Sequence, residues 1–423
     1  MEAAHDAPRC NHLATPPLPL PLMLLYDATH TSHTLAQTGI QRVVRSLLTV
    51  LPSFHEVVEP ICYDHFLGAW RALEADEQAV LHPPPGPVAK RRGAQWSLQK
   101  RLSGRTRRLL GRIPPVLSGE ALLCPELFSP VVAQNQPALF ARVSGPRVAV
   151  FHDAIALKFP ELTPAKTVAR FPAYLRELLR FDGIAAISED SATSLRDYWA
   201  WLGEHDVPPV QAIPLGLDEI CHSMDDPSHP LEPATCVVLS VGSIEGRKNH
   251  LALLEACESL WREGQKFELH LIGMAQPATA GLALEKLRAL QAAGRPLRYD
   301  GPQSEPALHA AYRECAFTVY PSLIEGFGLP VLESLAHGKP CVCSGRGALG
   351  ESSHGGGCVA LDSVDAASLA AALRRLLQNP AMRQELTAAA RRRVFRTWRD
   401  YASDLTAWMR LLKRRGRPAD RHS

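Results

Sequence analysis

Nowhere in this chain of 423 residues do the ten cysteines form a C-x-x-C pair. They are scattered, mostly inside apolar runs, as Cys62, Cys124, Cys341 and Cys343 are. That excludes a zinc or disulfide framework as the organising device and points to reduced, buried thiols in a cytosolic protein. Long apolar runs are also missing: no stretch reaches the roughly 18–20 uninterrupted apolar residues of a spanning helix. The opening MEAAHDAPRCNHLATPPLPLPLMLLYD has an apolar patch but no basic n-region, and prolines break it, so it does not read as a signal peptide. Net charge is nearly absent, with 46 Lys and Arg against 43 Asp and Glu, so the composition makes no global case for nucleic-acid binding. What remains is an ordinary globular mixture, long enough for two domains of about 200 residues each.

Short apolar strands alternate with helix-period segments through most of the chain. In the first half, strands are expected at 21–28, 147–153, 183–189 and 210–216, with helices over 40–50, about 164–181, and up to 201. The stretch 221–235, CHSMDDPSHPLEPAT, crowds acids and prolines without periodicity and reads as a linker. In the second half TCVVLSVG, FELHLIG, LRYDG, AFTVYPS and PCVCS read as strands separated by helices. The helix 249–264 shows an apolar stripe begun at Asn249 and stopped at Gly264. Alternating β and α units imply parallel sheets covered by helices on both faces. The expected architecture is therefore α/β, with two Rossmann-like domains facing across a cleft. The first spans 1–220 with a basic insertion at about 85–115, a linker covers 221–234, and the second domain spans 235–395. A final helix over 396–423 is expected to cross back to the first domain. Ligands of such sheets bind outside the carboxyl ends of the strands, which directs attention to the loops there.

Three of those loops could do chemistry. In IEGFGLPVLES (324–334) two glutamates flank GFGLP. Pro330 near the start and Gly338 just past the end mark a short helix, so Gly326, Phe327, Gly328 and Leu329 lie at its entry, where free N–H groups can meet an anion. Glu325 is expected to point into the cleft and Glu333 to lie in the first helical turn. The plain alternative for Glu333 is complementarity to the helix dipole. In VGSIEGRKNH (241–250), Gly242 leaves a strand and Arg247 and Lys248 precede a helix N-terminus, a costly place for two cations unless an anion arrives. A diphosphate fits, since guanidinium binds its oxygens as a fork and ammonium adds a compact charge; a solvated basic turn is the bland reading. In QTGIQRVVRSL (37–47), Gly39 opens a helix towards the same cleft, although one glycine before a helix is common. His152 and Ser188 end two strands, and a lone histidine is more often structural. GRGALG (345–350) matches a dinucleotide fingerprint, but ESSHGGG follows and cannot sustain the long helix such a fingerprint must open.

These motifs together resemble the retaining glycosyltransferases of family 4, which share the GT-B fold. The resemblance runs over nearly the whole chain and is carried by E-x7-E, Glu325 to Glu333, in SLIEGFGLPVLESLAHGKPCVCS, and by VGSIEGRKNH. YDAT…TGIQRVVRSL is further similar to bacterial mannosyl- or rhamnosyltransferases that build O-antigen, capsule or exopolysaccharide chains. The resemblance implies that Arg247 and Lys248 hold the diphosphate of a nucleotide-sugar donor, GDP-mannose being favoured. It also implies that Glu333 binds the ribose hydroxyls, that Glu325 meets the donor sugar with the amides around Phe327 and Gly328, and that Gly39 lies by the phosphates and His152 by the sugar. Gly242, Ser188, Gly326 and Leu329 complete the donor set. Catalysis would fall to Glu325, Arg247, Lys248 and His152, without a metal or other cofactor; Asp225-Asp226 lies in the linker and reads as solvated. The acceptor would be a glycan or a lipid-diphosphate-linked sugar. The alternatives are a catalytically silent nucleotide-sugar-binding protein and a sugar phosphorylase of the same fold, which usually needs pyridoxal phosphate and a far longer chain. Finally, 89–113 carries nine lysines and arginines, no acid, and interspersed Trp96, Leu98, Leu102, Leu109 and Leu110. This mix suits an anionic membrane surface, hence a peripheral position on the inner face of the cytoplasmic membrane. A solvated insertion is the plain alternative, and no nucleic-acid motif accompanies the run.

Overall fold

The computed structural model describes residues 23–55, 57–82, 93–114, 117–218 and 236–415. Seven strands form the first sheet: β1 (Met23–Asp27), β2 (Val57–Asp64), β3 (Ala69–Ala72), β4 (Ala121–Cys124), β5 (Arg147–Phe151), β6 (Gly183–Ala186) and β7 (Val210–Ala212). Six form the second: β8 (Val237–Val241), β9 (Glu268–Ile272), β10 (Leu297–Tyr299), β11 (Phe317–Tyr320), β12 (Cys341–Ser344) and β13 (Cys358–Leu361). Their orders are β3-β2-β1-β4-β5-β6-β7 and β10-β9-β8-β11-β12-β13. Every pairing between named strands is parallel except the β2–β3 hairpin. The expected linker at 221–234 lies outside the described residues.

Both faces of the first sheet are covered, and the strand pleat sorts its side chains. Leu25, Ala149, Phe151 and Ile184 face one core with Phe171, Leu175 and Trp199. Their neighbours Leu24, Tyr26, Val148, Val150 and Ala185 face the other, with Val43, Val44 and Leu47 of the helix Gly39–Val50. Into that second core comes the end of the chain. The helix Trp398–Leu411 buries Trp398, Tyr401, Ala402, Leu405, Thr406 and Met409, an i, i+3, i+4, i+7 stripe. Thr397 and Asp400 form its capping box, and the Leu217 N–H donates to the Arg396 carbonyl at 2.8 Å. The last helix thus straps the second half of the chain to the first sheet.

Four strands have no counterpart in the sequence reading. β2 carries Glu59 and Pro60, and proline removes a ladder donor, so its pattern argues against a strand. β3, β4 and β13 are four residues each. After β12 the GRGALG motif opens a helix of only seven residues, Gly347–Ser353, followed by three glycines at positive φ, the geometry that excludes the dinucleotide reading.

Tyr401 is fully buried, and among the described residues its hydroxyl has no hydrogen-bond partner. Tyr401→Phe should therefore leave stability unchanged or raised, since an unpaired buried hydroxyl costs free energy. Tyr401→Ala should cost about 3–5 kcal/mol through lost burial and the cavity left behind. Urea unfolding of the two variants beside the parent measures both.

Candidate functional site

In the second sheet the strand order reverses between β8 and β11, so the loops leaving these strands diverge and open a crevice. After β8 the Gly242 N–H donates to the Ile272 carbonyl at 2.8 Å. Arg247 and Lys248 then fall in one tight turn, Gly246–Lys248, separated from the helix His250–Arg262 by Asn249 in the left-handed conformation, φ 55°. After β11 the loop 321–328 carries Glu325 and enters the helix Leu329–Ala336 through Gly328, φ 108°, a conformation suited to glycine. The Leu323 N–H donates to the Arg247 carbonyl at 2.9 Å, tying the loops together.

Between them lies a buried charge cluster. One Glu325 carboxylate oxygen is 2.6 Å from Arg247 Nη1, and the other is 2.6 Å from Lys248 Nζ. Arg247 Nη2 is 2.8 Å from Glu245, and Lys248 also reaches the Tyr320 hydroxyl while its ammonium sits 4.5 Å from that ring's centre. Burial alone would raise the Glu325 carboxyl; Lys248 and Arg247 outweigh it and bring the group from 4.5 to about 2. Burial pulls Lys248 below an ordinary lysine, against the attraction of Glu325. This geometry corrects two expectations. Glu325 is not a free carboxylate at the cleft: its side chain is 10 % exposed and engaged with both cations. Nor do those cations lack a protein anion, because Glu325 and Glu245 supply one each.

Glu333 also moves. The helix begins at Leu329 with Pro330 next, so Glu333 is its fifth residue and lies beyond the first turn, where a dipole term would act. Its carboxylate accepts from the Tyr312 hydroxyl at 3.2 Å and, across the cleft, from Arg42. Arg42 sits three residues after Gly39 on the helix Gly39–Val50, and its Nε donates to Asp218 at 3.1 Å. No side chain caps that helix, which leaves its first amides without a side-chain acceptor, and a Cβ at Gly39 would meet nothing within 4 Å. The helix Leu329–Ala336 likewise has no side-chain cap.

The two halves touch at Gly326. A Cβ there would come within 2.4 Å of the His152 carbonyl oxygen, so only glycine permits the approach. His152 therefore meets the opposite loop through its backbone. Its imidazole is buried, Nε2 donates to the Pro125 carbonyl at 2.7 Å, and burial lowers its pKa. Ser188 is also committed: its hydroxyl accepts from the Ser191 N–H at 3.1 Å and caps the helix Glu189–Trp201. That same N-terminus receives Glu351 from the second half, whose carboxylate accepts from the Glu189 and Asp190 N–H groups at 3.0 and 2.7 Å. Phe327 packs against the core of the first sheet. In the first half, Asp27 and Glu126 are buried; burial raises both carboxyls, and Glu126 holds the loop after β1 by accepting from the Thr31 N–H at 3.0 Å.

The site thus gathers Arg247, Lys248, Glu325, Gly326, Phe327, Gly328, Leu329 and Glu333, faced by Gly39, while the side chains of His152 and Ser188 stand behind it. Arg42, Glu245, Tyr312 and Glu351 were missed by the sequence reading. Arg42 and Glu245 left a trace there, Arg42 lying one turn after a glycine already singled out and Glu245 two residues before Arg247. Among the described residues no three His, Cys, Asp or Glu side chains converge as metal ligands.

Two facing parallel sheets with a crevice between them define a GT-B fold. The chain has this fold in common with a solved structure of Anabaena HepE in complex with UDP-glucose, TM-score 0.58 at 14 % identity, covering 92 % of this chain and 95 % of that one. Residues 225–393 match the family model "Glycosyl transferases group 1". Over 342 residues, 75 % of the chain, it is 28 % identical to the serotype-specific mannosyltransferase WbdA of Escherichia coli. Over 179 residues, 38 % of the chain, it is 34 % identical to an O-antigen chain mannosyltransferase B of the same species. The matches cover 38 % and 45 % of those proteins, so the chain spans less than half the length of these two relatives.

The two glutamates should differ in what their loss does to folding. Glu325→Ala leaves two buried cations without their shared carboxylate and should cost about 3–5 kcal/mol. Glu333→Ala breaks a partly exposed pair and should cost about 1 kcal/mol or less. A depressed carboxyl stabilises above its unfolded pKa, so this contribution should be lost as pH falls from 4.5 to about 2. Denaturant unfolding across that range should show a shallower slope in Glu325→Gln than in the parent.

Proposed function

We propose that the protein is a retaining glycosyltransferase moving a hexose, mannose favoured, from a nucleotide-diphosphate sugar to a growing cell-surface polysaccharide or lipid-linked glycan. One observation carries this reading: two cations converge with an uncapped helix N-terminus at the switch point of the second sheet, facing a second uncapped N-terminus across the cleft. Such a place suits a diphosphate. The mannosyltransferase relatives and the group 1 match support the sugar class.

In the proposed reaction the acceptor hydroxyl forms a bond to the anomeric carbon as the bond from that carbon to the β-phosphate oxygen breaks. The hydroxyl proton passes to the departing phosphate, and attack occurs on the face the phosphate leaves, which retains configuration. Arg247 and Lys248 turn from Glu325 to the phosphate and take up the charge that develops there. Glu325, released, accepts hydrogen bonds from sugar hydroxyls, and Glu333 exchanges Arg42 for the ribose. A silent nucleotide-sugar-binding protein would share the binding and lack turnover; a phosphorylase would need pyridoxal phosphate.

Thermal unfolding in the presence of GDP-mannose, dTDP-rhamnose, UDP-glucose and UDP-N-acetylglucosamine tests the donor, with GDP-mannose expected to give the largest rise. The variant Glu245→Gln/Arg247→Gln/Lys248→Gln/Glu325→Gln removes the cations together with both carboxylates that neutralise them, so no member of the cluster is left without its counter-charge. It should fold and show no donor-induced rise; a rise equal to the parent's removes the diphosphate assignment.

Transfer should also proceed in excess EDTA, because the diphosphate charge is met by Arg247, Lys248 and helix N-termini rather than by Mg²⁺ or Mn²⁺. Turnover abolished by EDTA and restored by Mg²⁺ would overturn that view.

A further inference from the structure

The helix Leu98–Leu109 is built inside out. Its inward series is Lys100, Gly104 and Arg107, spaced i, i+4, i+7, and these are its only residues that are not exposed. Gly104 lies directly against Phe66, where a Cβ would be 2.9 Å from that side chain. Lys100 is 3.0 Å from Glu74, 2.8 Å from Asp76 and 2.8 Å from Glu77, and Arg107 is 3.7 Å from Glu74. On the opposite side of the helix run Leu98, Leu102 and Leu109, spaced i, i+4, i+11, and they are 75 %, 64 % and 88 % exposed. Leu110 and Ile113 continue the exposed apolar surface. A helix packed on a globular core normally turns its apolar stripe inward. Here charge faces the protein and leucine faces away.

This is not a general habit of the molecule. Among the described residues fifteen large apolar side chains are exposed, and five of them fall within 98–113. The segment is also anchored. Trp96 stacks on His33 with ring centres 3.7 Å apart, Ser97 caps the helix, and the Gln95 N–H donates to the His33 carbonyl at 2.7 Å. The leucine stripe is therefore presented on a fixed support.

We infer that this face docks on an anionic lipid surface, with Leu98, Leu102 and Leu109 entering the headgroup boundary and Arg101, Arg105, Arg108 and Arg112 meeting the phosphates. Charge decides the occupant. All four arginines are exposed, and none has a carboxylate partner among the described residues. A second copy of this face would bring the same four cations against them. An anionic leaflet satisfies leucines and arginines at once. The inference rests on the helix alone and does not depend on the transferase reading.

The test is sedimentation of the full chain with vesicles of phosphatidylcholine alone and of phosphatidylcholine mixed with phosphatidylglycerol. Two variants accompany it: Leu98→Ser/Leu102→Ser/Leu109→Ser, and Arg101→Gln/Arg105→Gln/Arg108→Gln/Arg112→Gln. The parent should bind the mixed vesicles at least about tenfold better than the neutral ones, and each variant should lose about tenfold or more. Binding should also weaken at 1 M salt, where the Debye length falls to about 3 Å. The replaced leucines are exposed, so the leucine variant should unfold at the parent's temperature; the arginine variant gives up the contacts of Arg101 and Arg105 with the Phe66 ring and should unfold within a few degrees of it. Both should keep the same nucleotide-induced rise, which separates this inference from the donor assignment. Equal binding to both vesicle types, or by variants and parent, would overturn it. So would a dimer, detected by light scattering without lipid, that the leucine variant abolishes.

Discussion

The pairing of Glu325 with Arg247 and Lys248 is the interaction on which the site depends. Taken from water one at a time, each of these groups would cost several kcal/mol to bury. Together with Glu245 they are two positive and two negative charges, locked between the loop after β8 and the loop after β11. These loops leave the sheet where its strand order reverses and are tied by the backbone bond from Leu323 to Arg247. The cluster adds a side-chain lock, and it fixes the cations before any ligand arrives. Their use by an anion then requires a change of partner rather than a folding step, the economy that preorganised charge offers.

Closure of the cleft has a different character, being assembled from several small contacts. Gly326 meets the His152 carbonyl, Glu351 caps the helix Glu189–Trp201, and Arg42 bridges to Glu333. None resembles a large apolar interface, and exposed ion pairs each contribute about 1 kcal/mol or less. The exception is the last helix, whose Trp398, Tyr401 and Leu405 lie in the core of the first sheet. One firm strap and a set of weak catches describe two bodies that stay attached while the space between them changes.

Much of this was legible in the sequence. Continuous apolar runs such as VVLSV and FTVY announce parallel strands buried on both faces, and the two sheets follow from their alternation with helices. The loops bearing Arg247, Lys248, Glu325 and Gly39 were found because strand carboxyl ends are where such sheets bind. What a linear reading misses is partnership. Glu325 and the cations are about eighty positions apart, and only the reversal of strand order makes them a charge cluster. Arg42 and Glu333 come from opposite halves. β2 was hidden by Pro60, and Glu333 was placed a turn too early because Pro330, taken as the helix start, is its second residue.

The Arg42 bridge links the two kinds of contact. Its guanidinium is shared between Glu333 in the second half and Asp218 in the first, so it is held from both sides of the cleft. A ligand hydroxyl group that takes the Glu333 carboxylate must displace Arg42, and the arginine then remains neutralised by Asp218 in its own half. Binding in the second half therefore removes one of the weak catches, and the cation so released stands on the helix whose uncapped N-terminus faces the cations of the ion cluster. Ligand occupancy and the relative position of the halves are consequently one equilibrium. Because a single partly exposed ion pair is small, that equilibrium lies within reach of an ordinary ligand's binding energy.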